Sequence, residues 1–193
     1  MKGAKRQNKG HGSVRIIAGK WRGRLLPVAD VPGLRPSGDR GRETLFNWLQ
    51  PQLRGAACVD LFAGTGVLGL EAVSRGAATA VLVEKSRPAA AALRASVTLL
   101  GAAAVSVVEA DALQWLQQQA ARSVDVVFVD PPFDLALQQA VIDCLTARDT
   151  LRPGGVVYLE SARTAPTVVL APGWQILKDQ VLGEVQMQLL RRS

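Results

Sequence analysis

Five short apolar runs, 57–61, 79–84, 105–109, 124–130 and 155–160, alternate along this chain with four stretches of helical pattern, 67–76, 87–100, 111–121 and 135–147. Regular alternation leaves few folds open, because strands joined by crossover helices lie parallel in one sheet with helices on both faces. The runs are nearly continuous in Val, Leu and Phe, as strands buried on both sides require. An α/β fold with a mostly parallel sheet is therefore expected. After Glu160 the rhythm changes: Trp174 to Val181 and Glu184 to Leu190 are joined by Leu182 and Gly183 with no helix between. That predicts a hairpin placing an antiparallel strand at one edge of the sheet.

In an open sheet of this kind ligands bind outside the carboxyl ends of the strands, and there the chain places Asp60, Glu84, Asp111 and Asp130. Asp60 begins Asp60-Leu61-Phe62-Ala63-Gly64-Thr65-Gly66-Val67-Leu68-Gly69. Its three glycines at G-x-G-x-x-G spacing let the chain turn tightly, approach a ligand closely and pack the next helix on the sheet. The pattern alone is weak, and its usual reading is a dinucleotide pyrophosphate on the helix N-terminus. A carboxylate four residues before the first glycine is awkward beside a pyrophosphate. It suits the ammonium of S-adenosylmethionine, so Asp60, Ala63, Gly64 and Gly66 are candidate cofactor residues. Twenty residues after Gly64, Glu84, followed by Lys85, stands where a carboxylate accepts both ribose hydroxyls. Asp111, followed by Ala112, could lie near the adenine amine. Glu84 also reads as a solvated strand end, and Asp111 with Gln114 reads as a helix N-cap, a role compatible with ligand binding.

The fourth carboxylate opens Asp130-Pro131-Pro132-Phe133. An exocyclic nucleobase amine has its lone pair delocalised into the ring and is a poor nucleophile until it is held and partly localised. The Asp130 side chain and the Pro131 carbonyl can each accept one amine N–H, and Phe133 offers a ring for the base to stack on. Two prolines stiffen the segment by fixing φ. The plain alternative is that Pro-Pro ends a strand and Phe133 is core; the glycine motif upstream favours the catalytic reading.

Charge is uneven along the chain. Residues 1–58 hold 12 Lys+Arg against 3 Asp+Glu, a net of +9, whereas residues 59–193 carry a net of −2. Residues 1–13 read as a flexible basic tail. Residues 14–36 follow as a basic hairpin, with Lys20, Arg22 and Arg24 interleaved around Trp21 and Arg35 beyond them. Cations neutralise phosphates while an aromatic stacks on a base, so these residues point to nucleic acid. A solubilising tail with a capping hairpin is the structural alternative. Beyond it, Leu45, Trp48 and Leu49 share one helical face and read as core, in a helix ended by Pro51, whereas Arg40, Arg42 and Glu43 at its start are harder to explain by packing.

Composition narrows the class further. With 193 residues, 48% of them hydrophobic, the chain can bury one domain's core plus an extension. Cys58 and Cys144 have no metal-type spacing, and no apolar run reaches the length of a membrane span, so no metal, a reducing cytoplasm and no membrane are expected.

In order and spacing, RIIAGKWRGRLLPV, GLRPSGDRGRETLFNWL, VDLFAGTGVLGLEAVSRGA, VLVEKSR and VDVVFVDPPF closely resemble the bacterial methyltransferases that modify one guanine N2 in 16S ribosomal RNA. The resemblance spans roughly residues 14 to 160 and continues weakly to the end. It implies a class I Rossmann-like methyltransferase domain over 37–193, S-adenosylmethionine as donor, and a basic N-terminal β-hairpin that helps hold 16S rRNA of the small ribosomal subunit or its assembly precursor. It also implies that the helix around Asp39 to Phe46, with Arg40 and Thr44, closes over the methionine end of the cofactor. A monomer is expected. Gly41, where the family has a bulkier residue, and the final VQMQLL, without its expected aromatics, depart from the pattern. Direct transfer of methyl to the amine is the expected reaction. Adenine N6 or cytosine N4 as the acceptor, and a non-catalytic RNA-binding assembly factor, are the rival readings.

Overall fold

The computed structural model describes residues 12–28, 38–132 and 136–192. Seven strands form one sheet: β3 (Ala57–Asp60), β4 (Thr79–Glu84), β5 (Val105–Glu109), β6 (Val124–Val129), β7 (Leu151–Ala162), β8 (Trp174–Leu182) and β9 (Val185–Arg192), in the spatial order β5-β4-β3-β6-β7-β9-β8. The first five pair in parallel, and β9 is antiparallel to both β7 and β8. The antiparallel strand is inserted inside the hairpin edge, leaving β8 outermost.

The helices divide between the faces as the side-chain periods dictate. On one face α1 (Asp39–Leu53), α2 (Val67–Ser74) and α3 (Arg87–Leu99) bury Leu45, Phe46, Leu49, Leu70 and Leu93 against Cys58, Leu82, Val126, Phe128 and Tyr158. On the other, α4 (Ala112–Leu116) and α5 (Gln138–Arg148) bury Leu116, Val141, Ile142 and Leu145 against Val59, Val83, Val127, Val129 and Val157. Alternate residues of each strand thus serve alternate cores. No helix among the described residues is long and apolar enough to cross a membrane.

Several local expectations are corrected. Helix α1 does not stop at Pro51 but runs through it to Leu53. The carbonyl that loses its donor belongs to Asn47, which is exposed, so water can serve it. Phe46 is buried on this helix and stacks at a tilt on Phe128, centroids 6.2 Å apart, while Trp48 is only half-buried. The helix expected over 111–121 closes after Leu116, that over 135–147 begins at Gln138, and the strand over 155–160 extends to 151–162. A Cβ at Gly41 would meet Met187 Sδ at an ordinary 3.7 Å, so the helix packs closely there without requiring glycine.

Strands β1 (Ser13–Arg15) and β2 (Leu25–Pro27) pair antiparallel, and Val14, Ile16 and Leu26 join the core of the α1–α3 face. The hairpin is therefore packed onto the sheet's own helices, not held out as an arm. Its turn hooks the last residue of α2. The Lys20 amide donates to the Ser74 carbonyl at 2.9 Å, the Trp21 amide to Ser74 Oγ at 3.0 Å, and Ser74 Oγ to the Ala18 carbonyl at 2.7 Å.

Candidate active site

Strand register sets the site. Asp60 pairs with Leu82 on one side and Phe128 on the other, and Phe128 pairs with Tyr158. Two residues further along, Glu84, Asp130 and Glu160 therefore point to the same face, the one carrying α1 and α2. The carboxyl end of the sheet presents a row of acids from three strands, above a lower rung containing Asp60 and Tyr158.

The glycine motif and Glu84 are brought into direct contact. Glu84 Oε2 accepts the Gly64 amide at 2.9 Å and Oε1 accepts the Ser86 amide at 2.7 Å, so the carboxylate ties the loop to the end of β4. Each oxygen keeps a further lone pair. Gly64 and Gly66 have φ of +51° and +75°, which favours glycine at both. At Gly66 the space is set by packing: a Cβ would lie 2.5 Å from Leu93 Cδ2. At Gly69 it would lie 2.3 Å from Leu82 Cδ2, so the third glycine seats α2 on the sheet as its spacing requires. The Ala63 amide donates to the Val83 carbonyl at 3.0 Å and that of Gly66 to the Ala63 carbonyl at 2.6 Å, closing the turn.

Asp60 lies beneath this loop, 1% exposed. Its Oδ2 accepts the Gly69 amide at 3.3 Å, while Oδ1 is buried with no hydrogen-bond partner among the described residues. Burial pushes its carboxyl up to about 7, opposed by the nearby backbone amides of Gly69 and Phe62 and aided by a smaller upward push from Glu84. An orphaned carboxylate oxygen at a ligand-binding strand end fits a cationic donor such as an ammonium.

Asp111 is the N-cap of α4, its Oδ1 accepting the Leu113 and Gln114 amides at 3.1 and 3.3 Å. Lys85 Nζ reaches its Oδ2 at 3.2 Å. The bond from Gln114, aided by Lys85 and Leu113, holds its carboxyl below the usual range against partial desolvation. Cap geometry thus accounts for Asp111, and its further partner among the described residues is the exposed Lys85. Ala112 is buried behind it. On α1, Arg40 is exposed and Thr44 half-buried, with Thr44 Oγ1 donating to the Arg40 carbonyl at 3.1 Å.

Arg42 is explained by packing after all. Its side chain is wholly buried, with Nη1 at 2.8 Å from both Glu71 Oε2 and the Arg15 carbonyl and Nη2 at 2.5 Å from Asp39 Oδ1. Arg75 takes the other oxygen of Glu71 at 2.6 Å and lies over the Phe46 ring. One buried guanidinium thereby ties α1, α2 and the hairpin together.

Asp130 is half-buried and Pro131 buried at the end of β6. Phe133 and Arg35 lie outside the described residues. Two neighbours of Asp130 escaped the sequence reading: Tyr158, whose hydroxyl donates to Glu160 Oε2 at 2.7 Å, and Glu160 itself, 8% exposed. Burial first, then Glu160 and least of all Asp130, push the Tyr158 hydroxyl well up. Burial also raises the Glu160 carboxyl, and the Tyr158 bond opposes it. The signal was available, since Glu160 ends an apolar run in the same phase as Asp130.

The basic residues are not gathered at this site. Lys20, Arg22 and Arg24 are exposed and Trp21 half-buried, with Lys20 Nζ 4.3 Å from the Trp21 ring centroid. Their turn is fixed to Ser74, the far end of α2, roughly 12 Å along the helix from the glycine loop at 1.5 Å per residue. One face of the indole is thus taken by a neighbouring lysine, and the cations line a surface away from the crevice.

Residues 14–191 match the family described as Conserved hypothetical protein 95. Over 189 residues the chain is 42% identical to ribosomal RNA small subunit methyltransferase D of Escherichia coli (strain K12), covering 98% of this chain and 95% of that one. The Haemophilus influenzae protein of the same name is 40% identical over 181 residues, covering 92% and 93%. The solved structure of the Escherichia coli protein yhhF superposes with a TM-score of 0.86 at 40% identity, covering 94% of this chain and 99% of that one.

Proposed function

The chain belongs to the ribosomal RNA small subunit methyltransferase D family, and from that membership and the row of strand-end acids we propose that it transfers a methyl group from S-adenosylmethionine to the exocyclic N2 of a guanine in 16S rRNA. The observation that carries the reading is Asp130 followed by Pro131 and Pro132 at the end of β6, on the face shared by Asp60 and Glu84. Bound S-adenosylmethionine supplies an electrophilic methyl on a sulfonium centre. Glu84 holds the ribose hydroxyls with the lone pairs left after the Gly64 and Ser86 amides, and Asp60 Oδ1 answers the ammonium.

Asp130 and the Pro131 carbonyl each accept one N–H of the amine, turning its lone pair toward the methyl, while Phe133 stacks the base. The base must be unpaired or flipped for this edge to reach the strand ends. The protein contributes position and hydrogen bonding without a covalent intermediate. Cys58 is buried in the sheet, and burial, followed by Asp125 and Asp60, pushes its thiol up to about 12, so it does not serve as a nucleophile.

Incubation with radiolabelled S-adenosylmethionine and undermethylated small subunits, followed by mapping of the label, tests the reading. Label at N2 of one guanine is expected. Label on adenine or cytosine, or none with cofactor bound, would replace it with one of the rivals.

A further inference from the structure

Guanine differs from the other two bases bearing an exocyclic amine in what stands beside that amine. Next to guanine N2 is N1–H, a donor. Next to adenine N6 or cytosine N4 the pairing edge offers a bare ring nitrogen, an acceptor. A site that holds guanine N2 through Asp130 therefore needs a second acceptor beside the first along the base edge, and a site for the other amines needs a donor there.

Glu160 stands at that place. Val129 pairs with Leu159, so Asp130 and Glu160 are side by side at the ends of adjacent strands, about 4.8 Å apart in the pairing direction. Glu160 as a residue is 8% exposed. Its Oε2 is held by the Tyr158 hydroxyl at 2.7 Å, while Oε1 takes no hydrogen bond from a described residue. The Gln138 side-chain amide donates to the Glu160 carbonyl at 3.2 Å, fixing the backbone beneath it. The Tyr158 hydroxyl fixes the carboxyl group by its Oε2 and so leaves Oε1 to face the base.

Resting on the guanine-N2 reading above, we propose that Glu160, oriented by Tyr158, accepts the N1–H of the target guanine and so selects guanine over adenine and cytosine. A buried acceptor facing a ring nitrogen lone pair is left unpaired and repelled, which is how a site built to bind an N–H rejects an analogue lacking it. Asp130 holds the reacting amine; Glu160 reads the base.

The test uses 2-aminopurine, which keeps the N2 amine but has a bare N1. Small subunits are reconstituted with guanine or 2-aminopurine at the mapped position, and the ratio of kcat/KM for the two is measured for the full-length wild-type protein and for Glu160→Gln. With the Tyr158 hydroxyl bound to the amide oxygen, the Gln amide would present a donor to N1. The guanine to 2-aminopurine ratio is expected to fall at least tenfold with S-adenosylmethionine affinity unchanged. Loss of the guanine O6 contact in the analogue affects both proteins and cancels from the comparison. Tyr158→Phe, which keeps the carboxylate but frees it, should lower the same ratio about threefold, and it stands as the test if Glu160→Gln does not fold. Wild-type label on guanine with an unmoved ratio in the folded variant overturns the role of Glu160 alone. Wild-type label on adenine or cytosine overturns the reading beneath it as well.

Discussion

Replacing Arg42 with methionine tests whether one buried side chain joins three parts of the fold. Methionine keeps roughly the volume and apolar stem but removes the bonds to Glu71, the Arg15 carbonyl and Asp39. Breaking a buried ion pair by removing one partner costs about 3 to 5 kcal/mol, because the other charge stays desolvated. Glu71 keeps Arg75 at 2.6 Å, which places the loss near the lower end, about 3 kcal/mol. The Arg15 carbonyl, left without its charged donor, accounts for about 1 kcal/mol or more of that. Against a typical total stability of about 5 to 15 kcal/mol this is a large fraction. Urea unfolding should show a lower midpoint with an unchanged slope. Amide exchange should quicken at Ile16 and Gly23, whose amides donate to the Arg24 and Ile16 carbonyls within the hairpin, before it quickens in β3 or β6. Removing Glu71 as well, as Arg42→Met with Glu71→Leu, should recover about half of the loss, since Arg75 is partly exposed and can be solvated. A single variant within 1 kcal/mol of wild type, or a double variant as unstable as the sum of the two singles, would refute the reasoning.

Glu84→Ala should weaken cofactor binding, each hydrogen bond lost from the charged carboxylate being worth about 1.5 to 3 kcal/mol; calorimetry showing unchanged affinity would end the ribose role. Replacing Lys20, Arg22 and Arg24 together with alanine should leave cofactor affinity alone and reduce the log-log salt slope of RNA binding by roughly one unit per lost phosphate contact, so parallel lines across a salt series would count against the hairpin as an RNA surface. Asp60, raised from 3.8 to about 7 in the folded protein, stays protonated there while the unfolded chain ionises, so its contribution is fully present below pH 4 and is lost as pH rises to about 7. Asp60→Asn should flatten the decline in unfolding free energy across that window in the cofactor-free protein, and an identical slope in both proteins would reject the assignment.

The parallel sheet was legible because period and order are local properties: continuous Val-rich runs, helices between them, and acids at their ends. Glycine spacing likewise forecast the seating of α2, since Gly69 meets Leu82 on the neighbouring strand. What failed to show depends on partners distant in the chain. Arg42 reads as a surface cation until Glu71, 29 residues away, is folded against it. Pro51 reads as a stop because the tolerance of its missing donor depends on Asn47 facing water. The basic hairpin was visible from charge, but its anchorage to Ser74 is made by backbone groups and one small hydroxyl, which leave no mark in a hydropathy pattern. Tyr158 and Glu160 were passed over because a buried tyrosine and a strand-end acid are each ordinary alone; their meaning comes from Asp130 on the next strand.

The place of β9 between β7 and β8 sets an order of events during synthesis. Strand β8 leaves the ribosome first, yet its pairing neighbour follows it in the chain, so it emerges before its own partner strand exists. Until residues 185–192 are out, β7 keeps an open edge beside the growing chain, and an unpaired edge is a template for whatever strand comes near. Vectorial folding from the first strand onward can assemble β3 to β7 but cannot finish the sheet. Its last addition is an insertion, made by a strand that arrives late and closes two ladders at once.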